Sequence, residues 1–159
     1  MIKVISGCQS GVDQAALRAA KAMLIETGGW MHNGFLTEYG PRPDLAELYG
    51  LKEHTGGYAE RNAQNVEDAD GTLILYVGAI TGGTLLTANL CRKKGGSRWI
   101  AVDLDRITLP NGITPLFVAS AIRKYDTLNV AGPRESKIPG IGARAEAFLL
   151  EVFATYKKG

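Results

Sequence analysis

The chain has 159 residues, 45% of them hydrophobic and 21% charged, with a formal net charge of +2 at pH 7. That length supports one core and not two, so residues 1–159 are expected to form a single domain, while no stretch reaches the ~18 continuous apolar residues of a membrane span. The small charge gives no reason to invoke nucleic acid, and Cys8 and Cys91 offer neither a metal spacing nor a disulfide framework, which suits a reducing, cytoplasmic setting.

In chain order, residues 1–5 read as an apolar strand that runs into Ser6-Gly7-Cys8-Gln9-Ser10-Gly11-Val12-Asp13 and then straight into a helix. Strand, small-residue loop and helix in that order form a phosphate-binding turn. Glycine lets the backbone approach a ligand, and the first helical turn presents unpaired N–H groups and the positive end of its dipole. Neither standard pattern is met: the spacing is Gly7-x-x-x-Gly11 instead of G-x-G-x-x-G, His32 and Asn33 stand where an acid would follow, and no Lys follows Gly11. A plain packing turn is an equal alternative on the loop alone.

Residues 11–25 then follow helical spacing, with Ala16, Ala19, Ala20, Met23 and Leu24 on one side, and Gly28-Gly29 reads as the stop. A brief strand is expected at Trp30-Met31-His32. Residues 33–55 form a long segment with little regular structure beyond a turn of helix at 45–49, and its aromatic content favours an ordered flap rather than a linker, with a surface excursion that merely caps the sheet an equal alternative. From Gly57 a polar helix runs to about residue 69, with Ala59, Asn62, Val66 and Ala69 on one side and Glu60, Arg61, Gln64, Glu67 and Asp68 around them.

Residues 72–77 are a continuous apolar run of the kind buried in a parallel sheet. Directly after it comes Gly78-Ala79-Ile80-Thr81-Gly82-Gly83-Thr84, a second strand, glycine loop and helix start. Two such turns on neighbouring parallel strands would share one carboxyl edge, where open α/β sheets bind ligands. Thr81, Thr84 or Thr87 would add hydroxyls. The helix is expected to reach Lys94 and to stop at Gly95-Gly96. A strand at 99–104, a helix at 113–125 with Pro115 in its first turn, a strand at 127–130 and a final helix at 141–157 complete the chain. Lys93-Lys94 and Lys157-Lys158 fall at helix ends, where cations complement the dipole without a partner. Arg134, just past the last strand, would stand at the same edge and suit a phosphate through its planar fork, a solvated loop arginine paired with Glu135 being the alternative.

About five strands alternating with helices, with no hairpin signal, define an α/β, Rossmann-like, doubly wound and mainly parallel sheet in three layers. The candidate ligand-binding residues are Gly7, Gln9, Ser10, Gly11, Asp13, Arg61, Gly82, Gly83, Thr84 and Arg134.

The stretches 7–17, Gly28-Gly29-Trp30 with Gly40-Pro41, Tyr58-Ala59-Glu60-Arg61 through Asn65-Val66, 68–75, Thr81-Gly82-Gly83-Thr84 and 128–136 together resemble the molybdenum cofactor carrier proteins. These are a branch of the Rossmann-like group that includes the cytokinin-activating phosphoribohydrolases. The resemblance implies binding of the molybdenum cofactor (molybdopterin), or a related phosphate-bearing pterin or nucleotide, without transforming it. It also implies a homo-oligomer, a dimer or tetramer. Met31 and Asn33 depart from the family, which has Cys and Lys after the Gly-Gly-Trp. The alternative is a nucleoside-monophosphate phosphoribohydrolase, whose P-G-G-x-G-T-x-x-E motif supplies a carboxylate; here Asn89 is expected near that position, so catalysis is not expected. A nucleotide-sensing module would use the same pocket.

Overall fold

The computed structural model describes residues 1–95 and 98–159. Along the chain, β1 (Lys3–Ile5), α1 (Val12–Ala22) and β2 (Glu26–Gly28) lead into a segment holding β3 (Trp30–Met31), β4 (Leu36–Thr37), β5 (Gly40–Pro41), α2 (Pro43–Tyr49) and β6 (Lys52–Glu53). Then come α3 (Tyr58–Asp68), β7 (Gly71–Tyr76), α4 (Gly82–Lys94), β8 (Trp99–Asp103), α5 (Pro115–Ala121), β9 (Thr127–Ala131) and α6 (Ile141–Lys158).

The central sheet has the order β2-β1-β9-β7-β8, and every pairing in it is parallel. All five carboxyl ends therefore lie on one edge. Right-handed crossovers fix the layers: β1→β2 and β8→β9 step one way and put α1 and α5 on one face, whereas β2→β7 and β7→β8 step the other way and put α3 and α4 on the opposite face. The helix α6 packs against α1 and α5. Close approach there follows from Ala15, Ala16, Ala19 and Ala20 of α1, all fully buried against Ala145, Phe148, Leu149 and Val152. The result is the three-layer Rossmann-like fold.

Counted along the chain the sheet strands run 2-1-5-3-4; starting the count at β9 turns this into 3-2-1-4-5, the order of dinucleotide-binding sheets. The winding reverses between β9 and β7. The two glycine loops therefore do not sit on neighbouring strands, as the repeat suggested: β9 lies between β1 and β7, bonded to both.

Several boundaries differ from the sequence reading. The helix α1 stops at Ala22, with the Met23 N–H donating to Ala19 O and Ala20 O and Leu24 taking a left-handed φ of 57°. That early stop frees Glu26–Gly28 to become the second strand of the sheet, paired Val4 with Thr27. Trp30–Met31 instead pairs with β6 in a separate two-stranded sheet. A small hairpin is present, β4 with β5, where no hairpin signal was read. The helix expected at 113–125 is α5 followed by a tighter 3₁₀ turn at Ile122–Lys124. Lys94 is not partnerless: its Nζ donates to Val66 O, Glu67 O and Ala69 O and so closes the end of α3. Gly95 caps α4 at φ 88°, and Gly96, the other half of the expected stop, lies outside the described residues.

The segment from 33 to 55 is ordered by a second apolar cluster, in which Ala46, Tyr49 and Leu51 close over Cys8, Leu17 and Met31. Among the described residues no helix is long and apolar enough to cross a membrane.

Candidate functional site

Three helices begin at the carboxyl edge close to the β9/β7 reversal. The first, α1, has its opening amides taken by protein: Val12 N–H donates to Pro133 O, Gln14 N–H to Gln9 O and Ala15 N–H to Gly11 O. Gly11 permits this at φ 77°, because a Cβ there would lie 2.4 Å from Pro133 O. The loop before it turns on Cys8, also left-handed at φ 57°, with Ser6 Oγ donating to Asp13 O and accepting from Cys8 N–H. Two of the free N–H groups expected at this helix start, those of Val12 and Gln14, are therefore already taken by protein carbonyls.

The start of α6 is filled as well, since the Glu135 carboxylate accepts from the Gly140 and Gly142 N–H groups. The start of α4 is different. Thr81 caps it without a side-chain hydrogen bond, and the first turn opens on a recess lined by Gly7, Gln9, Asp13, Arg61, Gly83, Thr84, Thr87 and Arg134.

The helix α3 supplies the far wall of that recess. Tyr58, Arg61, Asn62 and Asn65 fall at i, i+3, i+4 and i+7, a single helical stripe, and all four line it. Arg61, a candidate ligand residue on a helix read as polar, is 3% exposed. Asn65 anchors the stripe by accepting from Trp30 N–H at 2.9 Å and donating to Trp30 O at 3.1 Å. The Arg61 guanidinium lies 4.7 Å from the Tyr58 ring centroid, and Arg134 lies 5.3 Å from the same ring. Gly7 makes this possible, because a Cβ at Gly7 would fall 1.6 Å from Arg61 Nη1.

Arg61 Nε and Nη2 are buried and have no hydrogen-bond partner among the described residues. A buried cation with unmet donors is costly, and natural proteins keep one where a ligand, an ion or ordered water completes it. Asp13 shares the recess. Burial raises its carboxyl to about 6, opposed by Arg61, by the Gln9 N–H that donates to Oδ2 at 3.3 Å and by Arg134. Cys8 is fully buried and its thiol is pushed up to about 12, first by burial and then by Asp13, so it is held as an inert packing thiol.

The structure thus brings seven of the candidate residues to one recess: Gly7, Gln9, Asp13, Arg61, Gly83, Thr84 and Arg134. Ser10, Gly11 and Gly82 are not in its wall. The Ser10 hydroxyl donates to Glu38 and accepts from Glu135 N–H, and Glu38 in turn accepts from the hydroxyl and N–H of Ser136. Glu38 is thereby a buckle between the flap and the two loops, and Gln9 Nε2 adds a bond to Leu36 O at 3.0 Å. Thr87 lines the recess, Thr81 does not, and Asn89 is exposed, accepting from Arg92. Counting three residues on from Thr84, as the phosphoribohydrolase motif prescribes, lands on Thr87; the expected place of the missing acid at Asn89 is corrected to that position. Asn62, Asn65 and Asn129 in the wall were missed, although the spacing of Tyr58, Arg61, Asn62 and Asn65 was there to be read.

A second chamber of about 340 Å³ adjoins the recess; it shares Tyr58, Gly83, Thr84, Gly132 and Arg134 with it and adds Pro133, Ser136 and Lys137. Among the described residues no group of three His, Cys, Asp or Glu side chains is placed to hold a metal.

Together the permuted strand order and the polar recess at the sheet's reversal point define a Rossmann-like protein with a cleft at the carboxyl edge of its sheet. The chain belongs to the circularly permutated YpsA SLOG family, whose sequence model matches residues 4–153. A solved structure from Syntrophus aciditrophicus SB, provisionally named a molybdenum carrier protein, is 38% identical, covers 96% of this chain and 94% of its own, and has a TM-score of 0.79. No curated protein matches.

Proposed function

We propose that this protein binds and carries a phosphate-bearing small molecule, the molybdenum cofactor or a related pterin or nucleotide. The observation that carries the reading is the buried Arg61 guanidinium, with Nε and Nη2 unmet in a recess that also receives the open start of α4. A phosphoryl group supplies the acceptors those donors lack and compensates the charge. The provisional name of the Syntrophus aciditrophicus relative favours the molybdenum cofactor among such ligands.

The residues fit that group through its phosphate. Arg61, the N–H groups of Gly83 and Thr84 and the Thr84 hydroxyl would hold it, while the Tyr58 ring and Arg134 border the chamber for the pterin. The cofactor's dithiolene carries the metal, so no cluster of protein ligands is called for. Asp13 is the carboxylate in the recess wall, and its main-chain amide contact and burial suit a positioning group better than a base poised toward the outer chamber.

The test is mass spectrometry of the small molecules that co-purify with the wild-type protein and with Arg61→Met. A phosphate-bearing pterin or nucleotide retained by the first and absent from the second is the expected result. An enzyme reading replaces this one if AMP is cleaved to ribose 5-phosphate in an activity lost in Asp13→Asn.

A further inference from the structure

We propose that the cleft is built for a diphosphate: the terminal phosphoryl group sits at the mouth of the recess and points an oxygen in beside Arg61, and the second lies at the first turn of α4 between Arg134 and Lys137. This rests on the phosphate-binding reading above and narrows it to a ligand class.

The argument begins with size. The recess has room for about 20 Å³, the space of one or two oxygen atoms, whereas the outer chamber of about 340 Å³ is on the scale of a nucleoside or pterin. A ligand reaching Arg61 must therefore leave the recess at once and pass over Gly83 and Thr84, the residues both spaces share.

What it passes is cationic. Lys137 reaches across to the start of α4, where a Cβ on Gly82 would lie 2.3 Å from its Nζ, and it lines only the outer chamber. Arg134 lines both spaces. Among the described residues, none of Arg61, Arg134 and Lys137 takes part in an ion pair. The neighbouring carboxylates are already committed: Glu135 to the amides of α6, Glu38 to Ser10 and Ser136, and Asp13 to the Gln9 amide. Three cations outside any ion pair and a helix start with no side-chain cap bond thus converge on one short path. A monophosphate seated at Arg61 would lay its uncharged ester and sugar over that helix start and leave Lys137 with no acceptor. A diphosphate places its second charged group there.

Titration calorimetry at one fixed salt concentration separates the possibilities, with AMP against ADP and inorganic phosphate against pyrophosphate as probes. The inorganic pair removes any dependence on the base. In the wild type the diphosphate of at least one pair should bind at least tenfold more tightly than its monophosphate. Lys137→Gln, at an exposed position that does not threaten the fold, should erase that preference while leaving monophosphate affinity within about twofold, and Lys137→Arg should restore it. Arg61→Met should lose both. If no pair shows a diphosphate preference, or Lys137→Gln weakens mono- and diphosphate alike, the assignment fails. Monophosphates that still bind through Arg61 would in that case leave the phosphate-binding reading standing; no binding by any probe, together with no co-purifying ligand, removes both.

Discussion

The starts of α6 and α4 face the same edge of the sheet, yet only one is open. At α6 the amides of Gly140 and Gly142 are answered by Glu135 from its own loop. At α4 the capping Thr81 makes no side-chain bond, and the space ahead of the helix holds the unmet guanidinium of Arg61. In the unpermuted strand count, α6 follows the first strand, the place where dinucleotide folds seat a pyrophosphate. Here an internal carboxylate fills that seat. The contrast teaches that a helix start is left open through what is withheld from it, and that strand order alone points to the filled one.

The largest expected effect breaks the open site. Gly7→Ala drives a methyl group into Arg61, so the affinity for a bound phosphate probe should fall by about 100-fold, the scale of two charge-assisted hydrogen bonds. Arg61→Met should lose as much, and calorimetry on the double variant should show no further loss.

Next comes Asp13. Its folded carboxyl is raised to about 6 from an ordinary 3.8, so the native state holds the proton more tightly than the unfolded chain, and stability from this group rises as pH falls from 6 towards 4. Above pH 6 the ionised form costs up to about 3 kcal/mol. Asp13→Asn should lack this slope, and urea unfolding of both proteins at pH 4.5 and pH 7 measures the difference, about 2 kcal/mol. Parallel curves would refute the raised carboxyl.

The closed site should respond through stability instead of binding. Glu135→Ala strips two amides at α6 and should cost about 1–2 kcal/mol, with faster hydrogen exchange at Gly140 and Gly142 and unchanged probe affinity at α4. Smallest of all is Asn89→Ala, exposed and outside the recess, for which stability within about 0.5 kcal/mol of wild type and unaltered binding are expected.

Much of this contrast was legible in the residues. The loops at Gly7–Asp13 and Gly82–Thr84 announce themselves because glycine and small polar residues between an apolar strand and a helix have few other uses. The stripe around Arg61 did not, although Arg61 itself was among the candidates, because an amphipathic pattern marks a period and not a direction: when the inward stripe is Tyr58, Arg61, Asn62 and Asn65, the buried face looks like the wet one. The strand β2 was hidden for a related reason. Glu26-Thr27-Gly28 has no apolar run, and it becomes a strand only because Leu24 ends the helix early and β1 offers an open edge. The answer at α1 was illegible too, since its amides are met by Gln9, Gly11 and Pro133, the last more than a hundred positions away.

The strand at the centre of the sheet is also the last to be made. Until Thr127–Ala131 arrives, β1 with β2 and β7 with β8 are two separate parallel pairs, each with an open inner edge, and β9 bonds to both at once. Contacts between β1 and β9 span most of the chain, which raises the contact order and slows the search for the native topology. The sheet therefore closes by insertion of a wedge, not by growth from one end. During synthesis the unpaired edges wait for the ribosome to release the final strand, and that interval is when this chain is most exposed to aggregation.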